Sequence, residues 1–359
     1  MNEKIRVLVV GLGTMGLSHA RAYRRVAGFE LAGLCTRRIA ERADIAAEFP
    51  DVAKFEDFDQ ALRELKPDAV AVCTYTESHA EFVLNAFAAG AHVFCEKPLA
   101  ETLEAATRVV AAAEASGKAL LIGYILRVHP SWTRFIEIGR TLGKPLVMRM
   151  NLNQQSSGSF WEVHKNLMRS TSPIVDCGVH YVDVMCQVTG AKPVLVHAVG
   201  ARLTQEIAPT MRNYGHMHVV FSDGSVGWYE AGWGPMMSET AYFVKDMIGP
   251  NGSVSIVAKE SAGEAQGSAE HGGHTSTNAL RLHHGGLNLD GSFAKPDEMI
   301  STADEPGHQD LCDLEQAAFL DAIRGGSDLR AHHQDALNSL RIVFAADESM
   351  RTGEVVRLG

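Results

Sequence analysis

The strongest restriction on the fold lies near the N-terminus. Ile5–Val10 is an unbroken apolar run, and Gly11-Leu12-Gly13-Thr14-Met15-Gly16 follows it directly. Helical spacing of apolar residues then continues from Met15 to Val26. A lone G-x-G-x-x-G carries little weight. Between a strand and a helix it is the phosphate-binding turn of a βαβ unit. Gly11 allows the tight turn, Gly13 lets a pyrophosphate approach the backbone, and Gly16 lets helix and strand pack closely. The helix N-terminus faces the anion. Gly11, Gly13, Thr14, Met15 and Gly16 are therefore the first candidate dinucleotide contacts.

The rest of the first third keeps the same rhythm. Strand patterns at Glu30–Cys35, Ala69–Thr74, His92–Cys95 and Ala119–Gly123 alternate with helical ones near Ala40–Phe49, Ser78–Ala89 and Thr102–Ser116. Such alternation means a parallel sheet. After Tyr124 it stops. Helices are expected at Ser131–Arg140, Pro173–Thr189, Leu311–Arg324 and His333–Arg351. Strands are expected at Pro145–Asn153, Val194–Leu203, His216–Phe221, Val226–Ala231 and Tyr242–Ile248. Asp223-Gly224 and Asn251-Gly252 are hairpin signals between apolar runs. The segment 258–296, rich in Gly, Ser and His, reads as loops around short strands. The expected fold class is α/β. A Rossmann domain over 1–124 precedes an α/β domain over 125–359 with a large open, mostly antiparallel sheet, and the last helix is free to pack back on the first domain.

Composition narrows the function. The chain of 359 residues has net charge −10, so non-specific nucleic-acid binding and docking on anionic membranes are not expected. It has no apolar stretch of about 18 residues and no signal-peptide layout, and the expectation is a cytoplasmic protein. The six cysteines are scattered without a C-x-x-C pair, which suits reduced thiols. His271, His274, His283 and His284 sit in a glycine-rich stretch without standard ligand spacing, so no metal site is expected.

Two arginines bear on the cofactor. The second strand ends in Cys35-Thr36-Arg37-Arg38, where a carboxylate would bind a ribose 2′-hydroxyl. Arginines suit a 2′-phosphate instead. Thr36, Arg37 and Arg38 are thus candidate contacts, and NADP is favoured over NAD.

The candidate chemistry lies in two places. Glu96-Lys97-Pro98 closes the strand His92–Cys95, at the ligand-binding edge of a parallel sheet. Pro98 should hold Lys97 extended. Further on, Ser172 and Pro173 open a helix that carries Asp176, His180 and Asp183 at i, i+4 and i+7. Gly178 inside that helix suggests a close approach by another backbone or a ligand. Singly these have ordinary readings: a surface lysine, a first-turn acid, a core histidine. Together they suit oxidation of a secondary alcohol, in which an imidazole takes the proton, an ammonium steadies the oxygen and a carboxylate orients the imidazole.

The ordered set of G-x-G-x-x-G, E-K-P and D-x-G-x-H-x-x-D resembles the glucose–fructose oxidoreductase/inositol dehydrogenase (Gfo/Idh/MocA) family. Glu315–Ile323 and Asp335-Ala336-Leu337 share the likeness. The resemblance implies catalytic roles for Lys97, Asp176 and His180, which would also touch substrate. It places Thr74, Thr76 and His79 beside the cofactor, in a loop that lacks the family's proline, together with Glu96 and Lys97. It assigns Arg127 to the cofactor or substrate. Tyr124 becomes a substrate candidate, as do Trp161 and Lys165 on the loop before the catalytic helix. It further implies a sugar, inositol or polyol dehydrogenase of carbohydrate metabolism, assembled as a homodimer or homotetramer. A cofactor-dependent glycosidase, a ketone or enal reductase and a non-catalytic regulator remain as alternatives on the same fold.

Overall fold

The computed structural model describes residues 3–238, 244–257 and 275–359. Two compact units result. The first comprises Met1–Val128 and Gly307–Leu337, and the second comprises His129–Pro306 and Asn338–Gly359.

The first unit is built on six strands: β1 (Ile5–Val10), β2 (Phe29–Cys35), β3 (Ala53–Phe55), β4 (Ala69–Val72), β5 (His92–Cys95) and β6 (Leu120–Ile122). The helices between them are α1 (Thr14–Arg25), α2 (Ala43–Glu48), α3 (Phe58–Leu65), α4 (Thr76–Ala88) and α5 (Leu103–Ser116). Strand order is β3-β2-β1-β4-β5-β6, every pair parallel, which is the order of dinucleotide-binding sheets. The central strands are apolar throughout because helices cover both faces. Val7, Val9, Ala69 and Ala71 are fully buried. β3 and α3 escape the sequence reading. β3 has only three residues, and α3 with eight falls short of the window of about 11 residues in which a helical period shows. Asp57 nonetheless caps α3 through the Gln60 N–H at 2.6 Å.

The second unit contains α6 (Pro130–Thr141), β7 (Val147–Gln155), α7 (Gly158–Leu167), α8 (Pro173–Asp176), α9 (Gly178–Thr189), β8 (Pro193–Ala201), β9 (Tyr214–Phe221), β10 (Val226–Gly234), β11 (Lys245–Gly249), β12 (Gly252–Val257), β13 (Ala279–His284) and β14 (Glu298–Ser301). Then α10 (His308–Ile323) belongs to the first unit, α11 (Arg330–Thr352) continues into the second, and β15 (Val356–Arg357) ends the chain. The nine strands run β14-β13-β12-β11-β7-β10-β9-β8-β15. Only β7 and β10 pair in parallel. Both expected hairpins form: Gly224 turns β9 into β10, and Gly249 faces Gly252 across β11 and β12. One face of the sheet buries Met148, Met150, Met217, Tyr229 and Met247. The other leaves Val147, Val199, Val226 and Ile248 exposed. Among the described residues no helix is long and apolar enough to cross a membrane. His271 and His274 lie outside the described residues. His283 and His284 pair with Asp297 and Glu298.

Candidate active site

The phosphate loop has the predicted geometry. Gly11 has φ +87°, and a Cβ there would lie 2.5 Å from the Cys73 carbonyl oxygen. A Cβ on Gly16 would lie 1.8 Å from the Gly11 oxygen, far inside contact distance. Gly13 is the opposite case, with nothing within 4 Å. Two glycines are thus required by the fold, and the third leaves room over the backbone. Gly13 also caps α1, where no side chain takes the cap hydrogen bonds and no acid lies in the first turn. Thr14 and Met15 begin that turn. An open N-terminus beside an uncovered glycine fits a pyrophosphate.

Thr36 follows β2 half-buried, and Arg37 and Arg38 are exposed. Arg38 adopts a left-handed backbone, φ 55°, and lies 3.8 Å from Glu41 with both groups in solvent, an ion pair of little worth. Sequence reasoning missed Arg42, which donates to the Leu12 carbonyl at 3.2 Å and so braces the phosphate loop. Its distance in sequence from the glycines hid that contact.

The loops after β4 and β5 are tied together. The His79 ring nitrogens face the Pro98 carbonyl at 2.8 Å and the Thr74 carbonyl at 3.0 Å. His79 is buried, and burial lowers its pKa despite those carbonyls. The ring ties the loop after β4 to the loop after β5. Thr74 shares a 2.7 Å hydroxyl bond with Ser78, and Thr76 opens α4. Glu96 braces the second of these loops. Its side chain is buried, with Oε1 taking the His19 ring at 2.8 Å and Oε2 accepting the Lys97 N–H at 3.1 Å. His19 accepts in turn from the Gln316 amide at 2.9 Å. Desolvation pushes the Glu96 carboxyl up, but His19 and Lys97 outweigh it and hold it below the usual range. Glu315, buried near Glu96, is driven well above its ordinary value. A buried polar network thus fixes the backbone of Lys97, whose side chain is half-buried and whose bond to Pro98 is cis. Only the three-residue spacing of His19 from Gly16 hinted at it.

Arg127 and Tyr124 have partners within the first unit. Arg127 pairs with Asp335 at 3.1 Å and lies over the Tyr124 ring, and Tyr124 is 2% exposed.

In the second unit the candidate acid/base residues stand on α8 and α9. Cys177 separates these helices but keeps helical angles, φ −83° and ψ −36°. Asp176 is half-buried, while His180 and Asp183 are buried. Asp183 accepts from Gln187 at 2.9 Å. Gly178 is explained by packing: a Cβ would meet Tyr229 at 3.1 Å and Val343 at 3.3 Å. Side chains of β10 and α11, not a ligand, come close there.

The segment expected to be a loop is helix α7. Trp161 is buried and donates to Glu206 at 3.3 Å. Lys165 is held by Glu162 at 2.7 Å and Glu206 at 2.8 Å, which raises its pKa. Both are therefore tied up by neighbouring carboxylates. His164 on the same helix was missed. It stacks on Trp233 with centroids 4.3 Å apart and pairs with Ser156 at 3.0 Å. Burial drives it down to about 4, with Asp176 pulling the other way, so it is neutral near pH 7. Trp233 in turn donates to Gln154 at 2.7 Å.

The comparisons agree with this architecture. The NAD-binding Rossmann fold of the oxidoreductase family GFO_IDH_MocA matches residues 5–124, and that family's C-terminal alpha/beta domain matches residues 138–358. Inositol 2-dehydrogenase of Paracoccus denitrificans is 36% identical over 148 residues, covering 40% of this chain and 44% of that protein. The chain thus spans less than half the length of that relative. scyllo-Inositol 2-dehydrogenase (NAD(+)) of Bacillus subtilis is 25% identical across 100% of this chain and 97% of its own. The structure of apo scyllo-inositol dehydrogenase from Lactobacillus casei superposes with TM-score 0.75 at 19% identity, over 99% of both chains. With both domains matched in order, the chain belongs to the Gfo/Idh/MocA oxidoreductase family, an NAD-binding Rossmann domain followed by an α/β domain.

Proposed function

We propose that the protein is an NAD(P)-dependent dehydrogenase that oxidises a secondary hydroxyl of a sugar, inositol or related polyol. The observation that carries this reading is Asp176 at the end of α8 and His180 on α9, with Gly178 closely packed between them, in a chain that keeps Lys97 just after β5. A non-catalytic regulator needs none of these. Gly11, Gly13, Thr14, Met15 and Gly16 hold the dinucleotide, which when bound supplies the hydride acceptor. His180 takes the hydroxyl proton, Lys97 steadies the oxygen as it gains charge, and Asp176 assists the imidazole.

Arg37 and Arg38, exposed beyond β2 and without a carboxylate beside Thr36, favour NADP. The sheet face that exposes Val147, Val199, Val226 and Ile248 is the surface for a homodimer or homotetramer. A panel of inositols, sugars and sugar acids with NAD⁺ and NADP⁺, followed by absorbance of the reduced cofactor, tests the substrate class. Turnover of at least one polyol is expected, with the lower KM for NADP⁺. No polyol turnover removes the dehydrogenase reading, and a clear NAD⁺ preference removes the arginine argument.

A further inference from the structure

We infer that Asp347 is a positioning residue for the helix turn that presents Asp176, acting through Ser172. The inference rests on the proposed roles of Asp176 and His180.

Ser172 holds the first turn of α8 by three bonds, one of them from the Val175 N–H to its carbonyl at 3.1 Å. Its Oγ accepts the Val175 N–H at 3.2 Å, and its carbonyl accepts the Asp176 N–H at 3.0 Å. A serine hydroxyl has one hydrogen and rotates freely. Asp347 on α11 removes that freedom, because its Oδ1 accepts the Ser172 hydroxyl at 2.6 Å, in the range of hydroxyl–carboxylate bonds. With the hydrogen committed to Asp347, an oxygen lone pair is left for Val175. Val343, one turn earlier on α11, lies where a Cβ on Gly178 would be 3.3 Å away. Helix α11 therefore braces the catalytic helices at Ser172 and Gly178, on either side of Asp176 in sequence. It is itself anchored to β8, where the Ala198 N–H donates to Ser349 at 2.9 Å.

Asp347 is half-buried, and burial lifts its pKa to about 6, with the Ser172 hydroxyl pulling the other way. The start of α8 brings Ser172, and β8 and β9 bring Ala198, Gly200 and Gly215 against the same end of α11. Once protonated, the acid is itself a donor toward Ser172, and the cap loses its fixed hydrogen.

The test is kcat and KM against pH for wild type, Asp347→Asn and Asp347→Ala. The amide, like the protonated acid, both donates and accepts, so Asp347→Asn should lose about threefold in kcat at pH 8 and Asp347→Ala about tenfold, with cofactor KM unchanged. Toward acid pH the wild-type and Asp347→Asn curves should converge, because wild type then carries the protonated acid. Superimposed profiles at all pH values, or wild-type kcat in Asp347→Ala, overturn the inference. If Asp347→Ala does not fold, the Asp347→Asn profile decides. His180→Ala run in parallel separates the two readings. Full turnover there removes the proposed function itself, whereas an inactive His180→Ala with superimposed Asp347 profiles removes only this inference.

Discussion

The two units hold their candidate site residues by different means. In the first unit the candidate positions are strand ends and turns: Gly11–Gly16 after β1, Thr36 after β2, Thr74 after β4 and Lys97 after β5. Backbone geometry places them, and small residues are required where atoms would collide. In the second unit Asp176 and His180 ride on helices whose placement depends on side chains far away in sequence, namely Ser172, Tyr229, Val343 and Asp347. A backbone-built half tolerates few substitutions at a few glycines. A side-chain-built half spreads its constraints over many residues, each worth less.

The sharpest way to break this contrast is inside the phosphate loop. Gly16→Ala places a methyl 1.8 Å from the Gly11 oxygen and should lose more than about 4 kcal/mol of stability, seen as insoluble protein or a collapsed melting transition. Gly13→Ala meets nothing within 4 Å, so it should melt like wild type while dinucleotide affinity falls about tenfold or more. Equal melting of both variants would contradict the cradle.

Next in size are the chemical residues. His180→Ala should lower kcat by ~10²–10⁴ and Lys97→Ala by at least as much, with dinucleotide binding retained in both. Steady-state kinetics together with cofactor titration check this.

Asp347 gives a smaller effect whose sign follows from linkage. Its pKa of about 6 in the folded chain exceeds the unfolded value of about 3.9. The folded state binds the proton more tightly, so this contribution is present below about pH 4 and is lost as pH rises through about 6. Relative to wild type, Asp347→Asn should therefore gain about 1–2 kcal/mol between pH 4 and pH 7 in denaturant titrations. A pH-independent difference would contradict the burial argument.

The smallest effect sharpens the cofactor side. Replacing Arg37 and Arg38 by alanine should raise KM for NADP⁺ about tenfold and leave NAD⁺ nearly unchanged, since both residues are exposed and the ion pair of Arg38 with Glu41 is a weak one. Equal changes for both cofactors would remove the 2′-phosphate role.

The same contrast explains what could be read from the sequence. β1 and β5 were legible to the residue, because a parallel strand buried on both faces is a continuous apolar run bounded by turns. The catalytic helix was legible from Ser172-Pro173 and its periodic acids. Helix α7 was not, because its polar and aromatic residues mask its period, and so Trp161 and Lys165 were placed on a loop. The partners that engage Arg127, Lys165, Glu96 and His79 are set by the fold, several of them distant in sequence. No local pattern therefore shows their contacts with Asp335, Glu206, His19 and the Pro98 carbonyl.

The central claim is that the strand-end half holds the dinucleotide and the helix half moves the proton. The most direct measurement uses a polyol that the enzyme turns over, deuterated at the reacting carbon, with wild type and His180→Ala. The account predicts one deuterium per turnover in the reduced cofactor for wild type. In His180→Ala that transfer should slow by ~10²–10⁴ with dinucleotide affinity unchanged. Transfer at the wild-type rate in His180→Ala, or product formed with no deuterium reaching the cofactor, would contradict it.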